Sequence, residues 1–278
     1  MGEPWVSPCC SGDAGEGRPV TVPRALTIAT SDSGGGAGIQ ADLKAFAAAG
    51  CHGTCALVAL TAQNTTAVRA IHELPPEFVL AQLEAVFDDI GVDAAKTGML
   101  FSARMIEAVA GFLADHRVPL VVDPVMVASS GAKLLEDDAV RTYVERLFPL
   151  ATVVTPNLWE AEVLAGGPGS RSELAERIHA AGAPAVVVTG GHGRDAVDHL
   201  FDGERHTEIR VVRVDRATTH GAGCTHSATL AAHLARGAGL EAAARVATVA
   251  ASRAVRQGLE KIGAGEGPVD VLHLKGAA

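Results

Sequence analysis

From Ala25 onward, short runs of β-forming residues alternate with longer Ala- and Leu-rich helical patterns. Parallel strands need crossover connections, and a helix in each crossover covers one face of the sheet, so this rhythm restricts the chain to an α/β fold with a mostly parallel sheet. Strands are expected at Ala25–Thr30, Thr54–Leu60, Ala94–Thr97, Leu120–Asp123, Thr152–Thr155 and Ala185–Thr189, and helices at Ile39–Ala49 and Pro76–Asp89. Ala196–Phe201 and Glu208–Val214, joined by Asp202-Gly203, read as a late antiparallel hairpin, after which helices Gly221–Ala235 and Leu240–Leu259 close the chain. With 278 residues, 48% of them hydrophobic, residues 25–278 can form one large domain. Residues 1–24, rich in Gly, Pro and charge, read as a disordered extension and not as a signal peptide or membrane span.

A net charge of −9 without a basic cluster argues against nucleic acid or an anionic membrane as a partner. Five cysteines, with no CxxC pair or Cys/His ligand spacing, fit a reduced cytoplasmic setting and point to no dedicated transition-metal site.

Ligands of open α/β sheets sit outside the carboxyl ends of the strands, and the polar motifs of this chain fall there. Ser31-Asp32-Ser33-Gly34-Gly35-Gly36-Ala37-Gly38 follows the first strand, and three consecutive glycines exceed what a tight turn needs, which favours ligand contact. No Gly-Lys dipeptide and no correctly spaced G-x-G-x-x-G occur, which excludes a Walker A loop and disfavours a Rossmann site. Asp123, Asn157 and Glu160 at neighbouring strand ends carry oxygens that could hold Mg²⁺ through its water shell, although Asn157 and Glu160 by themselves read better as a capping pair. Thr189-Gly190-Gly191-His192-Gly193 follows another strand and is either a polyphosphate contact or a turn. In His220-Gly221-Ala222-Gly223-Cys224-Thr225, glycines at a helix start expose amides to an anion. There the helix field is expected to lower the pKa of Cys224 and make it a candidate general base.

These motifs, together with Ala62-Gln63-Asn64-Thr65, Lys96-Thr97-Gly98-Met99-Leu100 and Val122-Asp123-Pro124-Val125-Met126, resemble the hydroxymethylpyrimidine/phosphomethylpyrimidine kinases of the ribokinase-like superfamily, from about Ala25 to Leu272. The resemblance implies a three-layer α/β/α sandwich and the cofactors ATP and Mg²⁺. It implies two successive phosphorylations, of 4-amino-5-hydroxymethyl-2-methylpyrimidine and then of its monophosphate, with homodimerisation common among relatives. It places Cys224 as catalytic base, with Gly221, Ala222 and Gly223 contributing amides for the transferring phosphoryl group. Gln63 matches the residue reading the pyrimidine edge, Met99 and Val125 fall at apolar pocket positions, and Asp42 matches a residue near that pocket. Asn157, Thr189 and Gly191 fall to the nucleotide, and Asp123 and Glu160 to the metal.

Two positions depart from the pattern. Thr30 stands where the family commonly has glycine, at the substrate pocket, and Thr189 stands where many relatives carry lysine. Thr30 keeps a pyridoxal kinase as an alternative, since the two substrates share a ring-bound hydroxymethyl group. A catalytically weak pyrimidine- or nucleotide-binding protein is a second alternative.

Overall fold

The computed structural model describes residues 21–126, 137–190, 196–214 and 216–276. Nine strands form one sheet: β1 (Arg24–Asp32), β2 (His52–Gln63), β3 (Val68–Glu73), β4 (Ala94–Thr97), β5 (Leu120–Val122), β6 (Val153–Val154), β7 (Val186–Val188), β8 (Val197–Phe201) and β9 (His206–Arg210). Their order is β3-β2-β1-β4-β5-β6-β7-β8-β9. The six strands from β2 to β7 run parallel, while β3, β8 and β9 extend the two edges by antiparallel pairing. The strand order reverses between β1 and β4, so the crevice of a doubly wound sheet opens there.

Alternation along the strands sorts the core into two layers. Leu26, Ile28, Val122, Val154, Val186 and Val188 point to one face, where they pack with Leu83, Ile106, Leu164 and Leu174 of helices α2 (Pro76–Ala85), α3 (Ala103–Asp115), α5 (Leu158–Leu164) and α6 (Arg171–Ala180). Ala25, Val121, Val153 and Val187 point to the other, against Phe46, Ala228, Ala231, Ala244 and Ala247 of α1 (Gly38–Ala48), α7 (Ala222–Ala235) and α8 (Leu240–Arg256). The alanines let α7 and α8 lie close to the sheet, and that closeness brings the first turn of α7 down to the strand ends. A short α4 (Asp137–Thr142) completes the helices of the first layer.

Several expected boundaries shift. Arg24 belongs to β1 and not to an extension, because its guanidinium pairs with Asp93 at 2.7 Å; residues 1–20, with Cys9 and Cys10, lie outside the described residues. The half-exposed run Val68-Arg69-Ala70-Ile71-His72-Glu73 was not among the expected strands, yet it pairs with β2 and lengthens that strand to Gln63. The hairpin forms, but its second strand begins at His206, because Asp202 Oδ1 accepts from the amides of Glu204 and Arg205 and closes a tight turn. Among the described residues no helix is long and apolar enough to cross a membrane.

Candidate active site

Parallel strands present their carboxyl ends on one edge, so the site residues stand in the order of the sheet. Gln63 ends β2 and Thr30 and Asp32 end β1; Lys96 and Met99 follow at β4, Asp123 and Val125 at β5, Asn157 at β6 and Thr189 at β7. Helix α7 packs across β1, β4 and β5, and its first turn therefore stands over the middle of this row. Gly221 begins the helix in the left-handed region, at φ 83°, and a Cβ there would lie 1.8 Å from the Gly36 carbonyl oxygen. Only glycine allows that approach. Ala222 donates its amide to Thr219 O at 3.0 Å, whereas no acceptor for the Gly223 and Cys224 amides is found among the described residues. These two donors are available to an anion at the positive end of the helix.

The expected lowering of the Cys224 pKa is overturned. Burial pushes the thiol up to about 12; Lys96 and the Gly38 amide oppose the rise, and the Asp42 and Asp123 carboxylates reinforce it. A helix terminus is worth about 1 kcal/mol, and loss of water around an ionised sulfur outweighs that.

Beneath it lies a charge network that sequence reasoning did not single out. Lys96 Nζ, fully buried, donates to both Asp42 oxygens at 3.0 Å and lies 3.6 Å from Asp123 Oδ2. Thr27 donates to Asp42 at 2.6 Å, and Ser227 to Asp123 at 2.8 Å. The Asp42 and Asp123 carboxylates favour the protonated Lys96 ammonium despite its burial. Asp42 is therefore enclosed under the site, as the partner of Lys96, with no accessible surface to meet a substrate. The available signal was a lysine inside an interior strand, Ala94-Ala95-Lys96-Thr97, where parallel strands are otherwise apolar.

The glycine loop after β1 also differs from expectation. Its amides turn inward: Gly34, Gly36 and Ala37 donate to the Asp32 carboxylate at 2.7, 3.0 and 2.9 Å, and His220 Nε2 lies 2.9 Å from the same group. Burial alone would raise the Asp32 pKa, but His220 and the amides of Ala37 and Gly34 outweigh it and hold the carboxyl below its usual range. The loop is thus closed on an internal anion, not left open for a ligand.

Gln63 is half-buried, and its Oε1 accepts from Thr61 at 3.2 Å. Ser33 Oγ donates to the Gln63 carbonyl at 2.7 Å and accepts from its amide at 2.8 Å. A cavity of about 320 Å³ lies beside it, lined also by Asn64, Thr65, His220, Gly265 and Glu266. Met99, Val125 and Thr30 do not line that space: Met99 is nearly buried, Val125 is half-buried, and the buried Thr30 hydroxyl donates to the Met99 carbonyl at 3.1 Å. Thr30 thus braces β1 against the end of β4 and has its hydroxyl turned inward.

At the other end, Asn157 caps α5 and forms the reciprocal box with Glu160, its Oδ1 accepting from the Glu160 amide at 3.0 Å and its amide donating to Glu160 Oε2 at 2.9 Å. Met126 donates its amide to the second Glu160 oxygen at 3.3 Å. Burial first and Asp123 second push Glu160 up to about 8. A nearby hard cation would favour the ionised form of a carboxyl that burial and Asp123 disfavour, so the oxygen donors fit Mg²⁺; with both Glu160 oxygens already accepting amides, contact through water is the arrangement they suit. Among the described residues no group of three or more His, Cys, Asp or Glu side chains is placed to hold a metal ion by itself. Thr189 is half-buried at the end of β7, with its amide donated to Pro156 O at 2.9 Å. Gly191 lies outside the described residues.

The sheet order, the helices on both faces and the helix terminus over the strand ends define a protein of the ribokinase-like α/β/α class. Residues 32–270 match the phosphomethylpyrimidine kinase family, and the chain belongs to it. It is 46% identical over 257 residues to the hydroxymethylpyrimidine/phosphomethylpyrimidine kinase of Rhizobium meliloti, covering 90% of this chain and 97% of that one. It is 49% identical over 252 residues to a thiamine biosynthesis bifunctional protein of Geobacter sulfurreducens, covering 88% of this chain but 51% of that protein, so it spans about half of the latter's length. Among solved structures, an ADP complex of Bacillus subtilis pyridoxal kinase superposes with a TM-score of 0.84 at 38% identity, covering 92% of this chain and 99% of that chain.

Proposed function

We propose that this chain transfers the γ-phosphoryl group of ATP to the hydroxymethyl oxygen of 4-amino-5-hydroxymethyl-2-methylpyrimidine, and a second phosphoryl group to the resulting monophosphate. The observation that carries the reading is the start of α7, where the Gly223 and Cys224 amides stand over the middle of a row running from Gln63 to Thr189. Family membership and relatives that are kinases of this substrate support it. Gln63 would read the aminopyrimidine edge, since an amide offers both a donor and an acceptor. Met99 and Val125 would contribute apolar contacts to the ring, while Asn157 and Thr189 would line the nucleotide end.

Bound Mg²⁺-ATP supplies the phosphoryl group and the positive charge that Asp123 and Glu160 would reach through water. The amides of Gly221, Gly223 and Cys224 would stabilise negative charge on the transferring group, with Ala222 less available because its amide is engaged. For Cys224 to accept the hydroxyl proton it must first ionise, which Lys96 favours and Asp42 and Asp123 oppose. A cation reached by Asp123 would offset one of those two opposing charges, while burial, the larger cause of the raised pKa, would remain.

Product formation from hydroxymethylpyrimidine, its monophosphate and pyridoxal, each with ATP and Mg²⁺, tests the reading by mass spectrometry. Two successive phosphorylations of the pyrimidine are expected. The likeness to pyridoxal kinase keeps the vitamin B6 ring as the second reading, and product from pyridoxal alone would establish it instead. Cys224→Ala is expected to remove most turnover with the fold intact, and unchanged turnover would refute the base assignment.

A further inference from the structure

We propose that Asp32 is a positioning residue for phosphoryl transfer: its carboxylate closes the glycine loop and, through His220, locks the left-handed turn at Gly221 from which α7 and Cys224 start. Four donors converge on this one group, the amides of Gly34, Gly36 and Ala37 and the His220 ring, all within 2.7–3.0 Å. His220 and Asp32 are both buried and stand 188 residues apart in sequence.

The two loops interlock sterically as well. A Cβ on Gly36 would lie 2.2 Å from His220 Cδ2, and one on Gly221 would lie 1.8 Å from Gly36 O. The two loops are packed directly against each other, with room for nothing larger than glycine at either position. The neighbouring Ser33 hydroxyl clamps the Gln63 backbone from both sides. A single segment, residues 32–37, therefore sets both the residue proposed to read the pyrimidine and the helix start proposed to hold the phosphoryl group. Displacements on the order of 1 Å between such groups cost roughly 100-fold in rate.

The kinetic part rests on the phosphotransfer reading; the chemical part does not. In Asp32→Ala, kcat is expected to fall by roughly 10- to 100-fold, with KM for ATP changed less than about threefold. Asp32→Asn, which keeps one acceptor oxygen and the side-chain volume, should recover part of kcat. Independently, iodoacetamide labelling of Cys224 in the folded proteins, read by peptide mass spectrometry, should change in rate by at least about fivefold in Asp32→Ala. An unchanged kcat, a rise in the KM for ATP at constant kcat, or labelling within about twofold of the parent protein would each overturn the proposal. If the parent protein phosphorylates none of the three substrates, the proposed function fails while labelling still decides the role of Asp32. Should Asp32→Ala not fold, Asp32→Asn carries both readouts.

Discussion

Asp32 and Asp42 flank the same glycine-rich segment, and each is a buried carboxylate on the same side of the sheet, yet their surroundings drive them in opposite directions. Asp32 gathers three backbone amides and His220, and its pKa is lowered. Asp42 has one ammonium and one hydroxyl, is wholly removed from water, and burial raises its pKa although Lys96 and Thr27 oppose the shift. The difference lies in the number and kind of donors. Backbone donors are preorganised and cannot be mutated away, whereas a side-chain partner is a second, removable buried charge.

The largest expected effect follows from that removable charge. Lys96→Met leaves Asp42 buried without a cation and should destabilise the fold by about 3–5 kcal/mol in chemical denaturation. Adding Asp42→Leu removes the stranded carboxylate, and the double variant should recover most of that stability without recovering turnover. If it stays as unstable as Lys96→Met, the account of the pair as a replaceable ion pair is wrong.

Asp32→Asn should cost less, about 1–3 kcal/mol, because some of the four donors lose a suitable acceptor. This loss should be insensitive to any second-site apolar change, since the donors are mostly backbone. Its pH dependence has a defined sign. A carboxyl with a lowered folded pKa contributes stability above its unfolded pKa and loses it as pH falls through the folded value. The gap between parent and variant should therefore be full at neutral pH and close in acid; a gap that persists unchanged in acid would assign the loss to packing.

Glu160 sharpens the comparison with the smallest effect. It too is held by backbone amides, from Asn157 and Met126, but among the described residues no cation pairs with it, and burial first and Asp123 second push its pKa up to about 8. Here the ionised form is the costly one, and its contribution to stability declines as pH climbs from the unfolded pKa towards 8. Glu160→Gln should change stability at neutral pH by less than about 1 kcal/mol, in contrast to Asp32→Asn. A larger loss in thermal melting would show that the Glu160 charge itself supports the cap.

Much of the architecture was legible in local sequence because strand and helix periods are short-range. The apolar runs at Ala25, Leu120 and Ala185, the Asp-Gly hairpin and the Asn157/Glu160 box all appear at or near their expected places. The half-exposed strand β3 was not among the expected strands, and pairing with β2 defines it. At the site, the glycines before Cys224 correctly marked a helix start with available amides, but the state of the thiol did not follow from that local field. It depends on burial and on Lys96, Asp42 and Asp123, which arrive from three other elements.

By itself, the sequence determined the βα order, the polar strand ends and the helix start at Gly221, since these depend on propensity, periodicity and turn chemistry over a few residues. The tertiary structure alone decided which carboxylates stay charged, that the glycine loop closes on Asp32, and that Lys96 lies beneath Cys224. Those outcomes depend on desolvation and on partners as distant in sequence as Asp32 and His220, which only folding brings within hydrogen-bonding reach.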